Sequence, residues 1–134
     1  DYMDKCFGIK PSEAYSGKSE LMLVFNKQQE IEELIPDFEA ISGLRSSAVI
    51  ATAPGTDCDF VSRYFAPKAG VNEDPVTGSA HTLLTPYWAN RLGKTKLQAK
   101  QLSKRGGSLT CEWKGDRVVI GGNAIMYAKG EVYL

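Results

Sequence analysis

Apolar positions in this sequence recur at two spacings, which separate strands from helices. Short apolar runs at 20–25, 48–53 and 59–66 have the length and composition of buried strands. The Pro-Gly-Thr-Asp sequence between the last two runs predicts a hairpin turn. The final third, 96–134, is predicted to form further strands between glycine-containing turns, the last of them at 124–134.

Helical spacing occurs in two longer stretches. Between residues 26 and 44, apolar side chains recur every three or four positions, and Pro36 with Asp37 divides the stretch into two helices. Asn26 and Asp37 are suited to cap these helices. The longest apolar face belongs to a helix predicted at 79–92, and it comprises Ser79, Ala80, Leu83, Leu84, Tyr87, Trp88 and Leu92.

The order of these elements predicts one α+β domain. A short helix at 1–8 opens the chain, and 67–78 is predicted to be a long loop that leads into the main helix. With 134 residues, of which 43% are hydrophobic, the chain has the size of a single domain with its own core. We therefore expect one domain over 1–134, with the main helix packed against a mostly antiparallel sheet.

Charge and cysteine content argue against several classes of function. Lys+Arg and Asp+Glu both number 16, without a block of like charges, so neither nucleic acid nor membrane is an expected partner. The absence of a long apolar run or a signal peptide predicts a soluble, cytoplasmic protein. Cys6, Cys58 and Cys111 are far apart and the chain has one histidine, so we expect reduced thiols and no metal site.

The residues best suited to chemistry lie at 73–81 (EDPVTGSAH), just before the main helix. Gly78 and Ser79 enter that helix, where unpaired backbone N–H groups and the helix dipole favour a bound carboxylate or phosphate. Glu73 and Asp74 bring carboxylates to the same place. A carboxyl group beside a bound anion is suited to act as an acid, so this segment is a candidate catalytic site.

Structural roles are equally open for this segment. In that interpretation Thr77 or Ser79 caps the helix, and Asp74 with the following proline starts a turn. His81 lies in the first helical turn, where the dipole disfavours an imidazolium cation. A neutral hydrogen-bonding or packing role is therefore favoured for His81 over a general base.

Two arginines also have two interpretations. Arg105, in the segment 101–107 (QLSKRGG), either clamps a second carboxylate while the glycines allow close approach, or lies on a solvated hairpin turn. Arg63 lies in a predicted strand, where it either pairs with a buried acid or faces solvent.

Two stretches, 60–67 (FVSRYFAP) and 70–81 (GVNEDPVTGSAH), resemble the PhzF-like, or phenazine-biosynthesis-like, isomerase family. The resemblance continues through 44–54, 86–89, 92–94, 101–103 and 105–107, and so covers nearly the whole chain. It implies a diaminopimelate-epimerase-like fold, in which two similar domains each wrap a sheet around a central helix and enclose the active site between them. This sequence resembles the C-terminal half of such a protein, whereas the family's catalytic glutamate belongs to the N-terminal half.

By this resemblance, 79–92 is the central helix, Asp74 is the active-site aspartate and Ser79 is the active-site serine. Substrate-binding roles are expected for the residues around them, namely Gly78, Ala80, Thr77, Glu73, Arg105 and Gly106. The implied chemistry is proton transfer without a cofactor, at a carbon next to a carboxylate, on a small carboxylate-bearing molecule. Related racemases carry a cysteine where Thr77 stands, so a two-cysteine mechanism is not expected.

Two functions are consistent with these observations. In the first, the chain is the C-terminal half of a PhzF-like isomerase and depends on an N-terminal domain, whose sheet residues 124–134 are candidates to join. In the second, it is a non-catalytic binding or assembly module, in which two copies pair as a dimer and each supplies the cleft wall that the other needs.

Overall fold

In the computed structural model, which describes residues 2–134, eight strands form one sheet and four α-helices pack against it. The strands are β1 (Glu13–Ser16), β2 (Glu20–Val24), β3 (Ala48–Pro54), β4 (Phe60–Ala66), β5 (Val71–Asp74), β6 (Lys96–Gln101), β7 (Gly107–Lys114) and β8 (Arg117–Gly121). The helices are α1 (Tyr2–Phe7), α2 (Gln28–Glu33), α3 (Phe38–Ser42) and α4 (His81–Leu92), with a 3₁₀ turn at Pro67–Ala69.

The sheet is mostly antiparallel, in the order β1-β2-β3-β4-β6-β7-β8, and the exceptions among the described strands are β2–β3 and β4–β6. The first half of β4 pairs with β6, whereas its second half pairs with β5. Because β6 runs parallel to β4 and β5 runs antiparallel to it, the carboxyl ends of β5 and β6 approach each other. These ends are Asp74 and Gln101, and their partners on β4, Tyr64 and Ser62, are separated only by Arg63.

The central strands bury side chains on both faces of the sheet. Alternate residues of β3 contribute to two different cores, with Val49 on one face and Ile50 on the other. The core beneath α1, α2 and α3 includes Phe7, Leu23, Phe25, Ile31, Ile41, Val49 and Phe65. The core beneath α4 includes Val24, Ile50, Phe60, Leu84, Trp88, Leu97, Leu109 and Cys111. None of the helices within residues 2–134 has the length and apolarity needed to cross a membrane.

Apolar spacing correctly predicted β2, β3, β4 and the division of 26–44 into two helices. Asp37 caps α3 as expected, since its Oδ1 accepts a hydrogen bond from Ala40 N at 2.9 Å. The capping role expected of Asn26 is wrong. Helix α2 starts after Lys27, and the Glu30 carboxylate accepts hydrogen bonds from the backbone N–H groups of Asn26 and Lys27 at 2.8 Å each.

Elements that depend on distant partners were predicted less well. The loop expected at 67–78 contains the 3₁₀ turn and β5, which forms because β4 offers it an edge. Strand β1 was not predicted. Residues 124–134 have no regular structure in this chain and are exposed, so a strand there that joins another domain's sheet stays a prediction. Residue 1, part of the helix expected at 1–8, lies outside the described residues.

The buried face of α4 differs from the predicted one. The regular helix begins at His81 rather than at residue 79. Leu83 and Leu92 are 40% and 41% exposed, whereas His81 and Thr85 are buried. The Thr85 hydroxyl is satisfied by donating to His81 O at 2.6 Å, and His81 Nδ1 lies within hydrogen-bond distance of Thr77 O at 2.7 Å.

Candidate active site

The start of α4 leaves several backbone N–H groups without an acceptor. His81 N donates to Gly78 O at 3.0 Å and Thr82 N donates to Ser79 O at 3.1 Å, which closes the first turn. Within residues 2–134, the N–H groups of Gly78, Ser79 and Ala80 have no hydrogen-bond acceptor. Because α4 is 12 residues long, its dipole adds positive potential at this turn. The turn can therefore accept a carboxylate or phosphate.

Neither hydroxyl near this turn caps the helix. Helix α4 has Ala80 at its N-cap position and no side-chain cap. The Thr77 hydroxyl instead donates to Asp74 Oδ2 at 2.5 Å, and Ser79 is exposed. The capping interpretation is therefore wrong, and the half-buried Asp74 carboxyl group is held on the same loop as the unpaired N–H groups.

Gln101 holds this loop from the end of β6. Its Oε1 accepts a hydrogen bond from Thr77 N at 2.7 Å, and its Nε2 donates to Asp74 O at 2.8 Å and to Thr77 Oγ1 at 3.1 Å. The side chain is buried at a position where its strand neighbours Leu97 and Ala99 are apolar. A site role for Gln101 was not predicted, although a polar residue at an inward-facing strand position is a signal that sequence contains.

The turn between β6 and β7 contacts the same loop. The Ser103 hydroxyl donates to Pro75 O at 2.8 Å and accepts from Gly106 N at 3.0 Å. Gly107 lies so close to Val76 that a Cβ atom built there would be 2.2 Å from a Val76 methyl carbon. The loop before α4 and this turn are therefore packed together.

An open cleft of about 580 Å³ lies between this turn, the start of α4 and the end of β8. Of the predicted site residues it is lined by Gly78, Arg105 and Gly106. The other lining residues are Val76, Gly107, Ser108, Leu109, Ile120, Gly121, Gly122 and Asn123. In the described part of the chain Arg105 meets no carboxylate within 4.0 Å, so its guanidinium is available to an anionic ligand.

The remaining predicted residues lie beside the cleft rather than in its lining. Asp74, Thr77, Ser79 and Ala80 belong to the loop and helix start next to Gly78. The structure thus brings these predicted residues together along one loop, and Arg105 and Gly106 face that loop from the neighbouring turn. Their roles in catalysis and binding stay predictions.

Glu73 is engaged elsewhere. Both of its carboxylate oxygens accept hydrogen bonds from Arg63, at 2.8 Å from Nε and 3.0 Å from Nη2. Arg63 Nη1 also donates to Ile31 O and Leu34 O near the end of α2. Of the two interpretations of Arg63, pairing with an acid is correct, because it forms a bidentate ion pair with Glu73. A substrate that binds Glu73 would have to displace Arg63.

His81 is a buried, uncharged support for the loop. Its Nδ1 lies 2.7 Å from Thr77 O, and since a carbonyl oxygen can only accept, Nδ1 carries the hydrogen. Its Nε2 is buried without a partner among the described residues, and the ring lies against Phe60. Burial lowers the pKa of His81, as expected for a neutral packing role.

The described residues contain no cluster of three His, Cys, Asp or Glu side chains that could hold a metal ion. Cys6, Cys58 and Cys111 are free thiols. Burial raises the pKa of each of them, which disfavours the reactive thiolate. Cys111 lies in the core beneath α4.

Comparison with known proteins supports the assignment suggested by these residues. The family model described as phenazine biosynthesis-like protein matches residues 3–130. An uncharacterized isomerase of Pseudomonas aeruginosa is 46% identical over 134 residues, which are 100% of this chain and 51% of that protein. The chain therefore spans about half the length of such relatives.

Solved structures show the same correspondence. A PhzF-family phenazine biosynthesis protein of Enterococcus faecalis matches with a TM-score of 0.91 and 49% identity over 99% of this chain and 51% of that one. A putative PhzC/PhzF protein of Clostridium difficile matches with a TM-score of 0.86 and 43% identity over 95% of this chain and 49% of that one. The expected α+β fold is confirmed, and the chain belongs to the phenazine biosynthesis-like, or PhzF-like, isomerase family.

Proposed function

We propose that this chain is one domain of a cofactor-independent isomerase and forms one wall of its proton-transfer site. The observation that supports this most strongly is that one loop carries both the Asp74 carboxyl group and the unpaired N–H groups of Gly78, Ser79 and Ala80. Proton transfer next to a carboxylate needs both an acid or base and donors for negative charge. The loop supplies both.

In this mechanism the substrate carboxylate binds at the start of α4, with Arg105 and Gly106 facing it across the cleft. Asp74 takes a proton from, or returns one to, the carbon next to that carboxylate. As the C–H bond breaks, negative charge spreads onto the carboxylate oxygens, and the N–H groups at the helix start stabilise it. The Ser79 hydroxyl, exposed at the same turn, donates a further hydrogen bond.

The second wall of the cleft comes, in this proposal, from an N-terminal domain of the same family. Two observations support that division. The chain corresponds to about half of its relatives, and the cleft at the start of α4 is open. Residues 124–134 then act as a strand added to the other domain's sheet, which would cover the exposed side chains of Ile125, Tyr127 and Tyr133.

Titration with benzoate, followed by amide NMR, tests the anion site. The expected result is weak binding, with the largest shifts at the N–H groups of Gly78, Ser79 and Ala80. Shifts spread over the surface, or confined to another region, would contradict the site.

Deuterium incorporation next to the carboxylate of small carboxylic acids tests the catalytic role. The purified chain should exchange little alone, and more when the N-terminal half of the Pseudomonas aeruginosa relative is added. Asp74→Asn should abolish this exchange, whereas Asp116→Asn, in the exposed β7–β8 turn, should preserve it. Full turnover by the 134-residue chain alone, abolished by Asp74→Asn, would show that no second wall is needed.

The second candidate function is a binding or assembly module that pairs with a copy of itself. The exposed apolar side chains of 124–134 favour it, because they are available to a second copy as much as to another domain. Analytical ultracentrifugation decides this point. A dimer that is lost on deletion of 124–134 supports pairing, and a monomer at high concentration rules it out.

A further inference from the structure

The structure assigns Gln101 a role as a positioning residue, which fixes the Asp74 carboxyl group through Thr77. This inference rests on the proposed function, because Asp74 is the group that it positions. Gln101 is 1% exposed, and each of its polar atoms faces the loop that carries Asp74.

The orientation of the Gln101 amide is determined by its partners. Thr77 N–H can only donate a hydrogen bond, so the atom facing it at 2.7 Å is Oε1. The Asp74 carbonyl can only accept, so the atom facing it at 2.8 Å is Nε2. Neither Glu nor Met provides an acceptor and a donor at these two places.

The second hydrogen bond from Gln101 Nε2 orients the Thr77 side chain. Nε2 donates to Thr77 Oγ1 at 3.1 Å, and that hydroxyl then directs its own hydrogen to Asp74 Oδ2 at 2.5 Å. The amide, hydroxyl and carboxyl groups form one chain of hydrogen bonds with a single direction. The rotamer of Asp74 is thereby coupled to a side chain that lies outside the cleft lining.

A packing role alone would not require an amide here. Gln101 shares the inward-facing side of β6 with Leu97 and Ala99, and an unpaired polar group buried there would be destabilising. All three of its hydrogen bonds go to Asp74 and Thr77. Its polar groups therefore serve the loop.

Three variants of the chain test the inference. Gln101→Met removes the acceptor and the donor at similar volume, whereas Gln101→Glu keeps the acceptor and loses the donor. Gln98→Met is the matched control, because Gln98 is exposed on the same strand. The measurements are amide hydrogen exchange and the side-chain scalar couplings that report the Asp74 rotamer.

In Gln101→Met, exchange at Thr77 should accelerate at least about tenfold, and the Asp74 couplings should become rotationally averaged. Gln101→Glu should keep Thr77 protected, within about threefold of the original, while the Asp74 couplings still average. Gln98→Met should change neither measurement. Gln101→Glu keeps the test open if Gln101→Met does not fold.

Unchanged Thr77 exchange and a single Asp74 rotamer in Gln101→Met would overturn the inference. Equal acceleration along all of β6 would also overturn it, because that result indicates a general packing role. The proposed function is judged separately by the benzoate shifts at Gly78, Ser79 and Ala80. Their absence from the original chain contradicts the anion site, while exchange and couplings still decide the role of Gln101.

Discussion

Replacing Glu73 with Gln separates a structural role for this acidic residue from a role in substrate binding. Glu73 precedes Asp74, yet both of its oxygens are bonded to Arg63. The Arg63 side chain is only 12% exposed and that of Glu73 only 20%. Arg63 also donates hydrogen bonds to two carbonyl groups near the end of α2. Glu73→Gln keeps the shape and one acceptor but removes the charge that compensates the guanidinium.

The size of the effect follows from the burial of the pair. Breaking a fully buried ion pair costs about 3–5 kcal/mol, and the remaining exposure of Arg63 and Glu73 reduces this to about 2–3 kcal/mol. With a urea slope of about 1–3 kcal/mol per molar, the unfolding midpoint should fall by roughly 0.7–3 M. Benzoate binding at the start of α4 should stay within about twofold of the original.

Glu112→Gln is the matched control, because Glu112 lies 3.6 Å from Lys114 in a more exposed pair. Its free energy of unfolding should change by less than about 0.5 kcal/mol. An equally small effect in Glu73→Gln would refute the structural role. A large loss of benzoate affinity in folded Glu73→Gln would instead restore the predicted binding role of Glu73.

Three further predictions concern burial and close packing. Burial lowers the pKa of His81 below its ordinary 6.5, so the stability that neutral His81 contributes is present above pH 6.5 and is lost as the pH falls through the folded-state pKa. NMR titration of the imidazole and unfolding at several pH values measure this. Burial, and to a lesser extent a hydrogen bond to a carboxylate, raises the pKa of Tyr87 from 10.0 to about 12, so its contribution to stability is present below pH 10 and is lost between pH 10 and 12. Ultraviolet titration should show a phenol that ionises near pH 12 and is absent from Tyr87→Phe. Gly107→Ala should destabilise the fold by about 1–3 kcal/mol in urea unfolding, because its methyl group displaces Val76, whereas Gly130→Ala should change stability by less than about 0.5 kcal/mol.

The fold could be predicted where the signal is local. Strands β3 and β4 are short, mainly apolar stretches, and Asp37 is a strong capping residue directly before α3. The buried face of α4 could not be read from apolar spacing alone. His81 and Thr85 are buried because His81 Nδ1 and the Thr85 hydroxyl find partners within the helix and its entry, and those partners exist only in the folded chain.

Part of the candidate site could also be predicted, because its signal is local. Asp74, Gly78 and Ser79 belong to one contiguous segment, so sequence places them together whatever the tertiary structure is. The contact with Gln101 joins residues 24 and 27 positions apart, counted from Thr77 and Asp74, and depends on which strands pair. No local pattern contains that information.

The change of partner along β4 connects the fold to the proposed site. Because β5 and β6 approach each other end to end beside β4, the backbone of the loop after Asp74 cannot continue either ladder. Gln101 supplies the hydrogen bonds for Thr77 N–H and Asp74 O that a ladder would otherwise provide. The N–H groups of Gly78, Ser79 and Ala80 are left unpaired at the same break. A continuous strand through this region would satisfy those groups and remove the proposed anion site, so the proposed proton-transfer loop depends on the interruption in the sheet.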